Sequence, residues 1–226
     1  PMKVKERENT YFLVWTTTPW TLLANVALCV NPEVEYSEVI VGENHFILAS
    51  ALVSTLFEDA NIVKTYLGKE LEYMEYEQLI PELKPDRKAF YVTCADYVTT
   101  VDGTGIVHIA PAYGADDFEV AKKYDLPILN PVGKDGCYIE GPWKGILVFD
   151  ADKEVISYLK ENDKLFKKQR MTHNYPHCWR CHSPLLYYTL PSYYIAVTKY
   201  KDKIIEANKK VNWYPAYVGE KRLGNW

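Results

Sequence analysis

A chain of 226 residues with 48% hydrophobic and 25% charged side chains can bury a sizeable core in one domain, or in one domain with an appendage; disordered and collagen-like proteins are excluded. No stretch approaches the roughly 18 uninterrupted apolar residues of a membrane span, and the N-terminal PMKVKERENT lacks the apolar segment of a secretory signal, so a cytoplasmic protein with no membrane partner is expected. The formal net charge of −4 conceals a reversal along the chain: residues 1–150 carry 12 basic and 23 acidic side chains, net −11, whereas residues 151–226 carry 14 and 7, net +7.

Aromatic residues make up 14% of the chain, 19 of them Tyr, and β-branched residues recur in short runs, which favours many short strands over a helical bundle. Residues 11–15, YFLVW, read as a buried strand that Pro19 brings to an end. Residues 35–49 alternate around the turn GEN and predict a hairpin; SALVSTLFEDA, from Ser50, has apolar positions at helical spacing with a serine at its start. Strand-like runs return at NIVKTYL, AFYVTCADYV and GIVHIA. DDFEVAKKY, from Asp116, predicts a helix with acids in its first turn and lysines in its last, the arrangement that the helix dipole prefers. ILNPVGKDGCYIEGPWKGILVF is turn-rich and strand-like, and DADKEVISYLKEND predicts an amphipathic helix capped by Asp150.

Beyond it the composition changes, and a boundary is placed near residue 165: a first domain over 1–165 and a smaller, basic C-terminal extension over 166–226, which holds the CxxC and a second basic helix from Thr198. Strands scattered among single helices, without regular βαβ alternation or a glycine-rich phosphate loop, predict a mainly β, α+β fold built on a closed or half-closed β-barrel with helices outside. The chain opens at Pro1 and its last residues, KRLGNW, have no closing signal, so a segment of a longer chain is expected.

Three constellations could carry chemistry. Thr16, Thr17, Thr18 and Thr21 place four hydroxyls within six residues at a strand end, around Pro19 and Trp20. They can present donors and acceptors into a cleft, although strand-end threonines more often serve turns and caps. In DGTGIVHIAPAYGADDFEV, a strand brings His108 and a helix start brings Asp116 and Asp117 to one end of a sheet, a recipe for a cationic or hydroxylated ligand. A hydrogen-bonded core histidine and a capping aspartate are the competing readings. In HCWRCH, Cys178 and Cys181 have the separation for two thiolates on one zinc, half of a four-ligand site; His173, His177 and His182 lie nearby, the latter two poorly placed to join, and a redox pair is the alternative. The remaining cysteines, Cys29, Cys94 and Cys137, are isolated, which does not suit a disulfide framework, and Cys29 reads as a small buried hydrophobe.

WTTTPWTLLAN at 15–25, GTGIVHIAPAYGADDFEVA at 103–121 and PHCWRCHSPLLYY at 176–188, in this order and spacing, resemble the inserted editing domain of the isoleucyl-tRNA synthetase family over nearly the whole chain. The related valyl and leucyl enzymes carry an arginine before the proline and an acid after it, where this chain has Thr18 and Trp20. The HIGH and KMSKS motifs of the synthetic site are absent from the sequence.

The resemblance implies hydrolysis of mischarged valyl-tRNA(Ile), with the valine-bearing tRNA 3′ end and the remainder of a synthetase as partners. One methylene is worth only about 1–3 kcal/mol to a hydrophobic pocket, a value for which the isoleucyl enzymes are themselves the standard illustration, so a second, smaller pocket must remove valine. By resemblance, Asp117 grips the α-ammonium, Thr16, Thr17 and Thr18 surround the ester and terminal ribose, His108 lines the side-chain pocket, and Trp20, Thr21 and Asn25 are neighbouring substrate-binding residues. Asp116 is expected to cap its helix. Editing needs no cofactor on this reading, and zinc at Cys178 and Cys181 belongs to a full-length parent that would supply a second cysteine pair. The competing hypotheses are a nucleic-acid or zinc-dependent interaction module and a valyl- or leucyl-type editing domain.

Overall fold

The computed structural model describes residues 1–169 and 175–225, which fall into two compact units, Pro1–Thr189 and Leu190–Trp226. His173 lies outside the described residues. Among its described residues the first unit holds eight strands: β1 (Met2–Lys3), β2 (Thr10–Phe12), β3 (Ala27–Val30), β4 (Glu35–Val41), β5 (Asn44–Ala49), β6 (Asn61–Leu67), β7 (Tyr91–Cys94) and β8 (Val107–Ile109). Its helices are the single turn α1 (Val53–Leu56), α2 (Ala115–Tyr124) and α3 (Val148–Glu161).

The strands form two open sheets, a five-stranded one in the order β1-β2-β5-β4-β6 and a three-stranded one in the order β7-β3-β8. The fold is mixed α and β, and the expected barrel is corrected: neither sheet closes on itself. Closure requires the two edge strands to pair, but β1 has only two residues and pairs with β2 alone, while β6 pairs with β4 alone and leaves Asn61–Thr65 exposed. A single bridge pair, Trp15 with Val107, joins the chain leaving β2 to β8.

The expected hairpin is β4–β5, in register from Tyr36–Ala49 to Val41–Asn44, with Gly42 at φ +64° in its two-residue loop. On β4, Glu38 is buried and accepts Arg7 through both carboxylate oxygens, at 2.7 and 2.9 Å, with the Tyr66 hydroxyl and the His45 ring each at 2.7 Å. This cluster, placed beside the register shift between Glu38 and Val39, satisfies a carboxylate that would be costly if left alone.

Other expectations shorten or move. The helix from Ser50 amounts to a 3₁₀ turn, Ser50–Leu52, and α1, because Phe57 turns extended and the Ser50 hydroxyl bonds Ser37 at 2.7 Å instead of capping. Residues 128–147 form no strand, only the bridge pairs Val132–Tyr138 and Cys137–Leu147, and Val148 and Phe149 open α3. α2 starts after Gly114 and α3 after Leu147, so neither Asp116 nor Asp150 is a cap; both stand in the first turn.

The main core packs Phe12, Leu23, Leu28, Tyr36, Ile47 and Val155 together, uniting the inner faces of both sheets with α3. Alternation along the second sheet decides which side chains face the site. Val107 and Ile109 pack with Cys29, Val120 and Ala121 on the α2 side, while His108, paired with Leu28, faces the main core. The second unit carries α4 (Val197–Lys209), the expected basic helix, with no residue buried. No helix among the described residues is long and apolar enough to cross a membrane.

Candidate functional site

The site begins where β2 runs out. After Trp15 the chain turns at Pro19 into a 3₁₀ turn, Pro19–Ala24, and the threonines preceding and opening that turn fold over one imidazole. Thr21 Oγ1 lies 3.0 Å and Thr16 Oγ1 3.4 Å from His108 Nε2, and Thr18 Oγ1 lies 3.3 Å from Thr21 Oγ1. Thr21 donates its hydroxyl proton to the Thr18 carbonyl at 2.9 Å, so its contact with His108 is best met by the Nε2–H tautomer, with the ring as donor. Nδ1 is then an unprotonated acceptor, and it is the buried side-chain polar atom left without a partner among the described residues. Burial lowers the His108 pKa to about 4, so the ring is neutral at physiological pH.

Two glycines hold this arrangement close. A Cβ on Gly103 would meet the Trp15 ring at 2.8 Å, and one on Gly105 would meet the Ala49 Cβ at 2.4 Å; both glycines have positive φ, near +75°. Thr104 between them accepts the Ala49 amide at 2.9 Å, tying the loop before β8 to the end of β5.

Asp117 stands two residues inside the start of α2 and folds back toward β8. Its Oδ2 accepts the Ala110 amide at 2.8 Å, and a Cβ on Gly114 would come within 2.9 Å of its Cγ, so the glycine makes room for the carboxylate. Burial is the main cause that raises its pKa to about 6, helped by the charge of Asp116 and opposed by the Ala110 N–H. With the Ala110 backbone amide as its donor, this carboxylate is partly desolvated and suited to a cationic ligand. Asp116, its exposed neighbour, accepts no capping hydrogen bond.

Thr16, Thr18, Thr21 and His108 therefore meet in one cluster, and Asp117 is held at the far end of the strand that carries His108. Thr17 is exposed and, with Thr16, lines a cleft of about 450 Å³ whose other walls include Leu13, Leu79 and Phe166. Trp20 and Asn25 are built into the core. Trp20 is 4% exposed with its ring edge-on to Tyr113 at 4.9 Å; the Asn25 amide donates to the Ala27 carbonyl at 2.8 Å and accepts the Tyr76 hydroxyl at 2.7 Å, so both ends of its side chain are engaged within the fold. Sequence reading overlooked Asp152 and Tyr138, which hold the backbone of Trp20 and lie 132 and 118 residues from it, with no local pattern to reveal them.

Cys178 and Cys181 share a tight loop in which the Cys178 amide donates to the Ser183 carbonyl at 2.8 Å and Cys181 Sγ lies 3.0 Å from Ser183 Oγ. His177 turns its Nδ1 to the Tyr175 carbonyl at 2.8 Å. Two thiolates are half of a tetrahedral zinc set, and no group of three or more His, Cys, Asp or Glu able to hold a metal occurs among the described residues.

No family model matches the chain. The isoleucine–tRNA ligase of Clostridium acetobutylicum is 50% identical to it over 226 residues, covering 99% of this chain and 22% of that protein. Among solved structures, GlLeuRS-CP1 superposes with a TM-score of 0.61 at 16% identity, covering 75% of this chain and 87% of that one. The Plasmodium falciparum cytosolic leucyl-tRNA synthetase editing domain does so with a TM-score of 0.55 at 14% identity, covering 68% and 77%. The chain is thus homologous along its length to a segment of isoleucine–tRNA ligases, of which it spans about a fifth, and it has the fold of the leucyl editing domains.

Proposed function

We propose that this chain is a hydrolytic editing module that cleaves the ester of valyl-tRNA(Ile). The observation that carries the reading is the cluster of Thr16, Thr18 and Thr21 around a neutral His108, with the partly desolvated Asp117 at the end of the same strand. Homology to isoleucine–tRNA ligases and the fold of leucyl editing domains support it.

On this reading Asp117 receives the α-ammonium of the misattached amino acid, and the arriving cation returns the carboxylate toward its ordinary acidity. The threonine hydroxyls orient a water and meet the oxyanion that develops on the ester carbonyl. His108 contributes bulk without charge: a neutral ring beside the amino acid does not repel its ammonium, and it sizes the pocket for valine. The partners are the 3′ end of tRNA(Ile) and the remainder of a synthetase. Catalysis is assigned to side chains alone, and Cys178 and Cys181 stay outside it.

The test is to incubate the chain with valyl-tRNA(Ile) and with isoleucyl-tRNA(Ile) and follow release of each amino acid. The valyl ester should be cleaved well above its spontaneous rate and the isoleucyl ester spared. Spontaneous rates for both would sink the proposal.

A further inference from the structure

The threonines could not hold their hydroxyls on His108 unless the turn that carries them were fixed in place, and its local bonds, from the Thr21 amide and hydroxyl to the Thr18 carbonyl and from the Thr18 amide to Thr16 Oγ1, leave the Trp20 backbone to distant partners. Thr18, at the N-cap position of the 3₁₀ turn, makes no side-chain capping bond, and Pro19, the first residue of the turn, has no N–H. Trp20 therefore presents the turn's first orphan donor. A carboxylate from a distant helix meets it: Asp152 Oδ1, on α3, accepts the Trp20 N–H at 3.0 Å. The carbonyl of the same residue accepts the Tyr138 hydroxyl. Both polar groups of the Trp20 backbone are thus gripped by side chains from residues 118 and 132 positions away, while its ring is seated against Tyr113. Thr18 precedes this fixed residue by two positions and Thr21 follows it by one.

We propose that Asp152 and Tyr138 are positioning residues of the editing site, a side-chain clamp on the Trp20 backbone that sets the threonine hydroxyls against His108. The inference rests on the editing reading for its effect on rate, but not for its effect on geometry. Both residues hydrogen-bond the Trp20 backbone and not the side chains of the cluster. Each acts through Thr18 and Thr21, where a displacement on the order of 1 Å would break a 3.0 Å contact and costs a reaction up to ~10²-fold. The contact asks only for an acceptor at position 152, which an asparagine oxygen supplies and an alanine does not.

The experiment compares Asp152→Ala, Asp152→Asn, Tyr138→Phe and the Asp152→Ala/Tyr138→Phe pair in the intact chain, at a temperature where circular dichroism shows each folded. Deacylation of valyl-tRNA(Ile) is resolved into kcat and KM, and the ring nitrogens of His108 are observed by ¹⁵N NMR. Asp152→Ala should lower kcat about 10- to 100-fold with KM within about 3-fold. Asp152→Asn should restore most of the rate, and the pair should lose less than the product of its two single losses, because both changes release one peptide group. The His108 Nε2 resonance should move in Asp152→Ala and stay in place in Asp152→Asn. A purely structural role would lower the folded fraction and leave that resonance of the folded molecules unmoved. Should the parent chain show no turnover, the editing reading fails and the imidazole spectrum alone decides the clamp. An unmoved His108 signal in Asp152→Ala, or equal damage by Asn and Ala, would overturn it.

Discussion

Replacing Asp117 separates what the site costs the fold from what it contributes to chemistry. In the folded chain burial holds its pKa near 6 against an ordinary 3.8, so the native state keeps this proton more tightly than the unfolded state. The sign follows: between about pH 4 and pH 6 the native state binds more protons, stability falls as pH rises, and above pH 6 the cost is complete. A displacement of this size corresponds to about 3 kcal/mol at most, and partial solvent screening brings it to about 1–2 kcal/mol. Asp117→Asn keeps an acceptor for the Ala110 amide and removes the charge, so at pH 7 it should be more stable than the parent by that amount, with the advantage vanishing near pH 4. Asp117→Ala also orphans the Ala110 N–H, at about 1–3 kcal/mol, and should cancel the gain. On the proposed reading both should lose deacylation by about 100-fold or more, because the charge-assisted bond assigned to the ammonium would be gone. Gly114→Ala, which drives a Cβ to within 2.9 Å of the Asp117 Cγ, should impair turnover in the same direction, by about 10-fold. Urea midpoints at pH 4 and pH 7, beside single-turnover deacylation, provide the measurements. An Asp117→Asn variant that is less stable than the parent at pH 7, or that still cleaves valyl-tRNA(Ile) at the parent rate, would refute the reasoning.

Three further outcomes are expected. His108→Ala should raise the ratio of isoleucyl- to valyl-tRNA(Ile) deacylation, because removing the ring makes room for one more methylene while Asp117 and the threonines persist; an unchanged ratio with both rates equally depressed would show that the ring supports the site without sizing it. Gly105→Ala should destabilise the chain by about 2–4 kcal/mol in urea unfolding, since the new Cβ falls 2.4 Å from that of Ala49 at a φ of +73°. Zinc retained after dialysis should be well below one atom per chain by metal analysis, since Cys178 and Cys181 supply two of four ligands; one tightly held zinc would mean that another residue completes the site.

What the sequence determined by itself was local. The β4–β5 hairpin was legible because alternation and a glycine turn are written in consecutive residues, and α2 because its acids and lysines sit at the ends that the dipole favours. The hydroxyl run at 16–21, His108 and Asp117 could be singled out because residue type and spacing carry their chemistry, and the two motifs that hold them, with the CxxC segment, carried the resemblance. Tertiary structure decided the rest. Whether strands close into a barrel depends on the pairing of edges far apart in the chain, and here β1 and β6 do not meet. Asn25 looked like a pocket residue until Tyr76, 51 positions on, occupied its amide oxygen, and Gly114 displaced Asp116 as the cap because the chain needed space there for the returning Asp117 side chain. The clamp on Trp20 comes from residues 118 and 132 positions away, and the neutral tautomer of His108 from hydroxyls 87 and 92 positions away. Periodicity reports which face of an element is apolar; it holds no record of which distant donor will meet a given acceptor, because packing brings those groups together only once the chain has folded.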